Sequence, residues 1–174
     1  MGKRDHLKDY VPTEDGGYEY VGTRWSWPSP EVRAAFLKAA RGLFAGAVIG
    51  LIGAGFIPAP GTFGAFYVVL PFAAGVVAAA LSGVALYRLG SEPDPLRDHV
   101  YTKSASTLSV KLLAAAAALL ACGVAALIHG IALAASSGGG SLLLTVLFSA
   151  CTALSAFCFW RIHLAFSPII FTPV

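Results

Sequence analysis

Two stretches of this chain, Gly42 to Tyr87 and Leu112 to Trp160, contain no Lys, Arg, Asp or Glu. Each is more than twice the ~20 residues that a helix needs to cross a bilayer core, so each holds two spans and a turn. A soluble domain carries about 25% charged residues. Here the charged share of the 174 residues is 12%, against 57% apolar. That balance excludes a disordered segment, a secreted disulfide scaffold and a compact nucleic-acid binder. It predicts an all-α integral membrane fold with four transmembrane helices in two tandem hairpins.

The segments between and around the runs set the expected organisation. Residues 1–29 form a polar arm with no apolar stretch of the kind a secretory signal carries, so no cleavable signal is expected. Within the arm, Thr13-Glu14-Asp15-Gly16-Gly17 is turn chemistry. Tyr18, Tyr20, Trp25 and Trp27, evenly spaced on either side of Gly22, suggest short extended segments and a small β-hairpin. An isolated hairpin is marginal in water, so this arm needs a partner or a surface to order it.

Residues 30–165 make the four-span bundle, with spans at about 36–57, 65–87, 112–135 and 142–160, a polar loop at 88–111, and an apolar tail at 166–174. Ser29-Pro30-Glu31 is a helix start: a hydroxyl cap, a proline whose missing amide costs nothing there, and an acid at the positive helix end. Pro58-Ala59-Pro60-Gly61 ends the first span, and Ser136-Ser137-Gly138-Gly139-Gly140-Ser141 separates the last two. Asp94-Pro95 is read as a second helix cap, before a short surface helix.

Charge placement gives an orientation. All 12 Lys and Arg residues lie before Gly42, between Arg88 and Lys111, or at Arg161, and neither inter-span turn carries a charge. The positive-inside bias then places both termini and the central loop in the cytoplasm. Tyr87-Arg88 and Trp160-Arg161 put an aromatic beside a cation where spans two and four leave the bilayer on that side. High alanine and glycine content fits a bacterial inner membrane.

The clearest chemistry is that of helix packing. Gly42, Gly46, Gly50 and Gly53 on span one and Gly75, Ala79 and Gly83 on span two form small-residue faces that allow close backbone approach in lipid. His129 is the one ionisable side chain besides cysteine deep in a span, and an intramembrane ionisable group suggests function. Its plainer reading is a neutral imidazole bonded across the bundle near the outer surface. Thr145, Ser149 and Thr152 form a hydroxyl stripe on span four, suited to interhelical bonding or to lining a path. Cys122, Cys151 and Cys158 lack metal-ligand spacing and read as packing residues. No nucleotide, nucleophile-elbow or zinc-protease motif occurs, so no catalytic residue, metal or cofactor is expected.

The resulting expectation is a non-enzymatic accessory, assembly or scaffolding subunit. Its partners would be the lipid bilayer and other membrane subunits or further copies of itself, with Tyr18, Tyr20, Trp25 and Trp27 as a cytoplasmic docking surface. The alternative is a homo-oligomeric channel or small-solute carrier using His129 and the hydroxyl stripe. Fusions to an export-dependent alkaline phosphatase check the orientation. Activity is expected after truncation at Gly139 and not at Lys103, and the reverse pattern would overturn it.

Overall fold

A computed structural model describes residues 9–13, 15–59, 61–137 and 142–174. The Arg4-Asp5-His6 end of the arm and the Gly138–Ser141 part of the second turn lie outside the described residues. Among the described residues, four helices are long and apolar enough to cross a membrane, and together they fit a multi-pass membrane protein.

Helix α1 (Pro30–Phe56) starts where its cap predicts: the Val32 amide donates to Ser29 Oγ at 3.2 Å. It stops at Ile57 because the residue before a proline disfavours the helical conformation. A short 3-10 turn, Thr62–Gly64, leads into α2 (Phe66–Ser91), which runs through Pro71. After it come the single turn α3 (Asp98–Val100), a π-helical turn at Tyr101–Ala105, and α4 (Ser106–Ser137). Helix α5 (Leu142–Phe166) completes the bundle. At their charged ends all four long helices outrun the expected spans, since a helix need not end where the lipid does.

Strands tie the ends of the chain together. β1 (Tyr10–Pro12) pairs antiparallel with β2 (Tyr18–Tyr20). β3 (Arg24–Ser26) sits between β4 (Leu96–Arg97) and β5 (Thr172–Pro173), antiparallel to both. The two segments flanking Gly22 therefore do not pair with each other, as the aromatic spacing had suggested. The Tyr20 ring folds back onto Gly22, where an added Cβ would lie 2.6 Å from its hydroxyl. The arm, the central connector and the tail meet at one end of the bundle. Asp94 is also reassigned: it caps no helix, and its Oδ1 accepts from the Trp27 amide at 3.3 Å and the Ser26 hydroxyl at 3.4 Å.

Within the bundle, α1 packs on α5, α5 on α4, and α4 on α2, each neighbour antiparallel, while the consecutive helices α1 and α2 touch only lightly. The reason lies in where the small residues fall. A Cβ at Gly50 would collide with Ser155 Oγ and lie 2.9 Å from the Cys151 carbonyl oxygen. Added Cβ atoms at Gly46 and Gly53 would lie 3.5 and 3.4 Å from the Cys158 and Cys151 sulfurs. Gly75 makes room for the Leu119 side chain, which an added Cβ would meet at 2.6 Å, and Ala79 is buried. Gly83 faces the Phe44 ring, the one such approach between α2 and α1 that involves a predicted packing glycine. Gly42, grouped with these by its spacing, faces open space. Leu89, Leu108, Leu112, Leu119, Phe159 and Ile162 fill the core at the strand-bearing end.

Gly50→Leu should therefore drive α1 from α5, at a cost of about 1–3 kcal/mol or more, whereas Gly42→Leu should change little. Thermal unfolding of both variants in detergent checks this, and equal losses would contradict the packing.

Candidate functional site

The hydroxyl stripe of α5 is internal. Thr145, Ser149, Thr152 and Ser155 are all buried. Ser149 Oγ donates across to the Gly123 carbonyl at 3.0 Å, and Ser155 Oγ to the Ala47 carbonyl of α1 at 2.9 Å. Thr152 Oγ1 donates to the Ser149 carbonyl of its own helix at 3.0 Å. Opposite them α4 presents Gly123, where a Cβ would lie 2.7 Å from Thr152 Oγ1, and Gly130, packed on the Thr145 side chain. Hydroxyls close to bare backbone find acceptors there without opening a gap, a common way to join helices in lipid. Ser155, Gly123 and Gly130 carry as much of this contact as the predicted residues. Their signal was the same four- and seven-residue spacing, read across two helices instead of within one.

His129 does not join the stripe. It points to the other side of α4, where Nδ1 lies 2.6 Å from the Tyr67 hydroxyl of α2. The two rings meet edge-on, with centroids 5.7 Å apart. Its Nε2 is buried with no hydrogen-bond partner. Gly61, with φ +74°, runs past it so closely that a Cβ would sit 2.9 Å from Nε2. Thr62, the next residue along the turn, is fully buried and its hydroxyl also has no partner. Leaving such groups unpaired in an apolar setting is costly, so their placement at one turn is notable. The sequence suggested neither Tyr67 nor Thr62, because nothing local reveals that the turn folds back over α4.

At the strand-bearing end, the four aromatic residues expected to dock a partner mostly hold the chain to itself. Trp27 is buried and packs edge-on against Phe171, with centroids 4.8 Å apart. Trp25 stacks on Tyr101 at 4.0 Å, and its Nε1 donates to Asp98 Oδ1 at 2.9 Å. The Tyr20 hydroxyl accepts from the Asp98 amide and donates to the Thr23 carbonyl, each at 3.1 Å. Burial raises its pKa above the ordinary tyrosine value. Tyr18 alone of the four stays well exposed.

Arg24 and Arg97 stand opposite each other across β3 and β4, a repulsive placement for like charges. Glu92 resolves it by accepting from Arg97 through both carboxylate oxygens, while Arg97 Nη1 donates to the Tyr10 hydroxyl at 2.9 Å. Those bonds from Arg97 hold the Glu92 carboxyl below its usual range and raise the arginine. The pair's stabilisation is present above the ordinary glutamate pKa and fades as the pH falls through the lowered one.

Comparison with family models, curated proteins and solved structures gives no match to this chain. A functional reading therefore rests on geometry.

Tyr67→Phe should cost about 0.6 kcal/mol, the typical worth of an interhelical hydrogen bond in lipid. A double-mutant cycle with His129→Ala, read by thermal unfolding in detergent, should show coupling of that order; additive losses would mean that the bond contributes nothing.

Proposed function

We propose that this protein is a non-enzymatic, multi-pass membrane subunit that acts as a packing partner within a larger membrane assembly. Its four spans enter as two tandem hairpins, with both termini and the connector in the cytoplasm of a bacterial inner-membrane cell. The reading draws on where the polar and small residues are used. The Ser149, Thr152 and Ser155 hydroxyls donate to backbone carbonyls inside the chain, and the stripe is buried, which favours packing over a path for solute.

The observation that carries the proposal is a groove on the outside of α4 and α5. Ala116, Ala117, Ala153 and Ala156 form its floor and Leu113 and Trp160 are among its walls, enclosing about 400 Å³. Its lining is almost wholly apolar, and its small floor residues would let another helix backbone approach closely. A transmembrane helix of a partner subunit is the occupant this shape suits. Tyr18, exposed on β2, is the remaining aromatic on the arm that such a partner could contact.

A second reading, a homo-oligomeric channel or carrier, has one observation in its favour: the unpartnered Nε2 of His129 and the unpartnered hydroxyl of Thr62 at the α1–α2 turn. The two readings separate in one experiment. A photo-crosslinking residue at Ala117 or Ala153, in native membranes, should give a protein adduct of defined mass in the subunit reading. Ala153→Trp should abolish that adduct with the fold retained. Adducts to lipid alone, together with solute flux in liposomes that His129→Ala removes, would replace the subunit reading with the carrier.

A further inference from the structure

A cleft of about 370 Å³ lies between α1 and α2 near their strand-bearing ends. Leu37, Phe44 and Ala45 line one wall and Gly83 and Leu86 the other, so the cleft is apolar along most of its length. Arg41 stands at this cleft, its Nη2 3.4 Å from where a Cβ of Gly90 would be. A side chain at Gly90 would push the guanidinium away. On the far side of Tyr87 and Ser91, which border both spaces, lies a second hollow of about 340 Å³ lined by Arg88 and Lys103.

One exposed cation, Arg41, thus lines the apolar slot, and two more, Arg88 and Lys103, line the hollow that adjoins it across Tyr87 and Ser91. Among the described residues none of the three cationic groups has a hydrogen-bond acceptor or an ion-pair partner. The carboxylate that lines the second hollow, Glu92, is taken by Arg97. Surface cations normally gain only a little from isolated pairing. One at an apolar slot and two in the hollow adjoining it, at the depth where long side chains snorkel to the headgroups, form a complementary site for an anion that carries a hydrocarbon chain.

We propose that the α1–α2 cleft binds an anionic phospholipid, one acyl chain lying along Leu37, Ala45 and Leu86 and the headgroup phosphate reaching Arg41 at the cleft and Arg88 and Lys103 in the adjoining hollow. The ligand explains two features together. It fills the seam that the consecutive helices leave open, and it neutralises cations that the protein leaves uncompensated. This inference is independent of the partner groove, which lies on α4 and α5.

Native mass spectrometry of the detergent-solubilised full chain tests it, using phosphatidylglycerol and phosphatidylcholine with matched acyl chains. The wild-type protein should retain phosphatidylglycerol at lipid concentrations where phosphatidylcholine is lost. The Arg41→Gln, Arg88→Gln and Lys103→Gln triple variant should weaken that retention by roughly a hundredfold, from about one order-of-kT electrostatic contact per cation near the headgroups. Ala45→Trp, which fills the cleft and keeps every cation, should weaken it too and serves if the triple variant fails to fold. Lys38→Gln with Arg161→Gln, removing exposed cations elsewhere, should leave it unchanged. Equal retention of the two lipids by the wild type would overturn the proposal. So would equal loss in the Lys38 and Arg161 control, or displacement of phosphatidylglycerol by glycerol 3-phosphate at matching concentrations.

Discussion

In lipid an apolar side chain gains almost nothing by leaving its surroundings, so helices are held together by contact and by hydrogen bonds. In this protein the contact on which the rest depends is the approach of α1 and α4 to α5. Gly50 admits Ser155, whose hydroxyl reaches the Ala47 carbonyl, and Gly123 admits Ser149 and Thr152 from the other side. Helix α5 is thereby the central element, with hydroxyls directed at backbone on two neighbours. Once α1 is committed to α5, it has little left to offer α2. The open cleft between consecutive helices follows from that preference.

The strand-bearing end is organised by a different force. There, outside the apolar spans, Trp25, Trp27, Tyr101 and Phe171 stack over the helix ends, and Asp94 and Asp98 accept from the tryptophan-bearing strand. The strands themselves are only two or three residues long. Such short pairs do not hold alone. Aromatic burial and the Glu92–Arg97 pair let three distant parts of the chain share one small sheet. The arm beyond the helices is thus structural over its described residues, and its exposed aromatic surface contracts to the neighbourhood of Tyr18.

These two arrangements leave distinct surfaces for use. The α4–α5 groove is apolar and floored by alanine, suited to a helix. The α1–α2 cleft is apolar, with Arg41 at it and Arg88 and Lys103 in the hollow beside it, the arrangement proposed for a lipid. At the opposite turn, Tyr67, His129 and Thr62 form a polar feature that the packing does not account for, since two of its atoms have no partner. A protein built mainly to pack would show the first two and have little need of the third, which is why the carrier reading keeps one observation of its own.

The number of long apolar helices and the cap at Ser29 were legible in the sequence, because both depend on local composition: uncharged length for a span, and a hydroxyl before Pro30 for the start. Spacing along one helix defines a face, and Gly46, Gly50 and Gly75 lie where α1 meets α5 and α2 meets α4. Which helix meets that face was not legible. Gly42 shares the spacing of Gly46 and Gly50 yet meets nothing, while Gly123 and Gly130 matter because α5 brings hydroxyls to them. Likewise, the even spacing of Tyr18, Tyr20, Trp25 and Trp27 indicated extended backbone, but not that β3 would pair with residues near positions 97 and 172. Single-helix periodicity records which side of an element is small or polar. Only the tertiary structure decides what stands opposite, because that depends on residues tens of positions away.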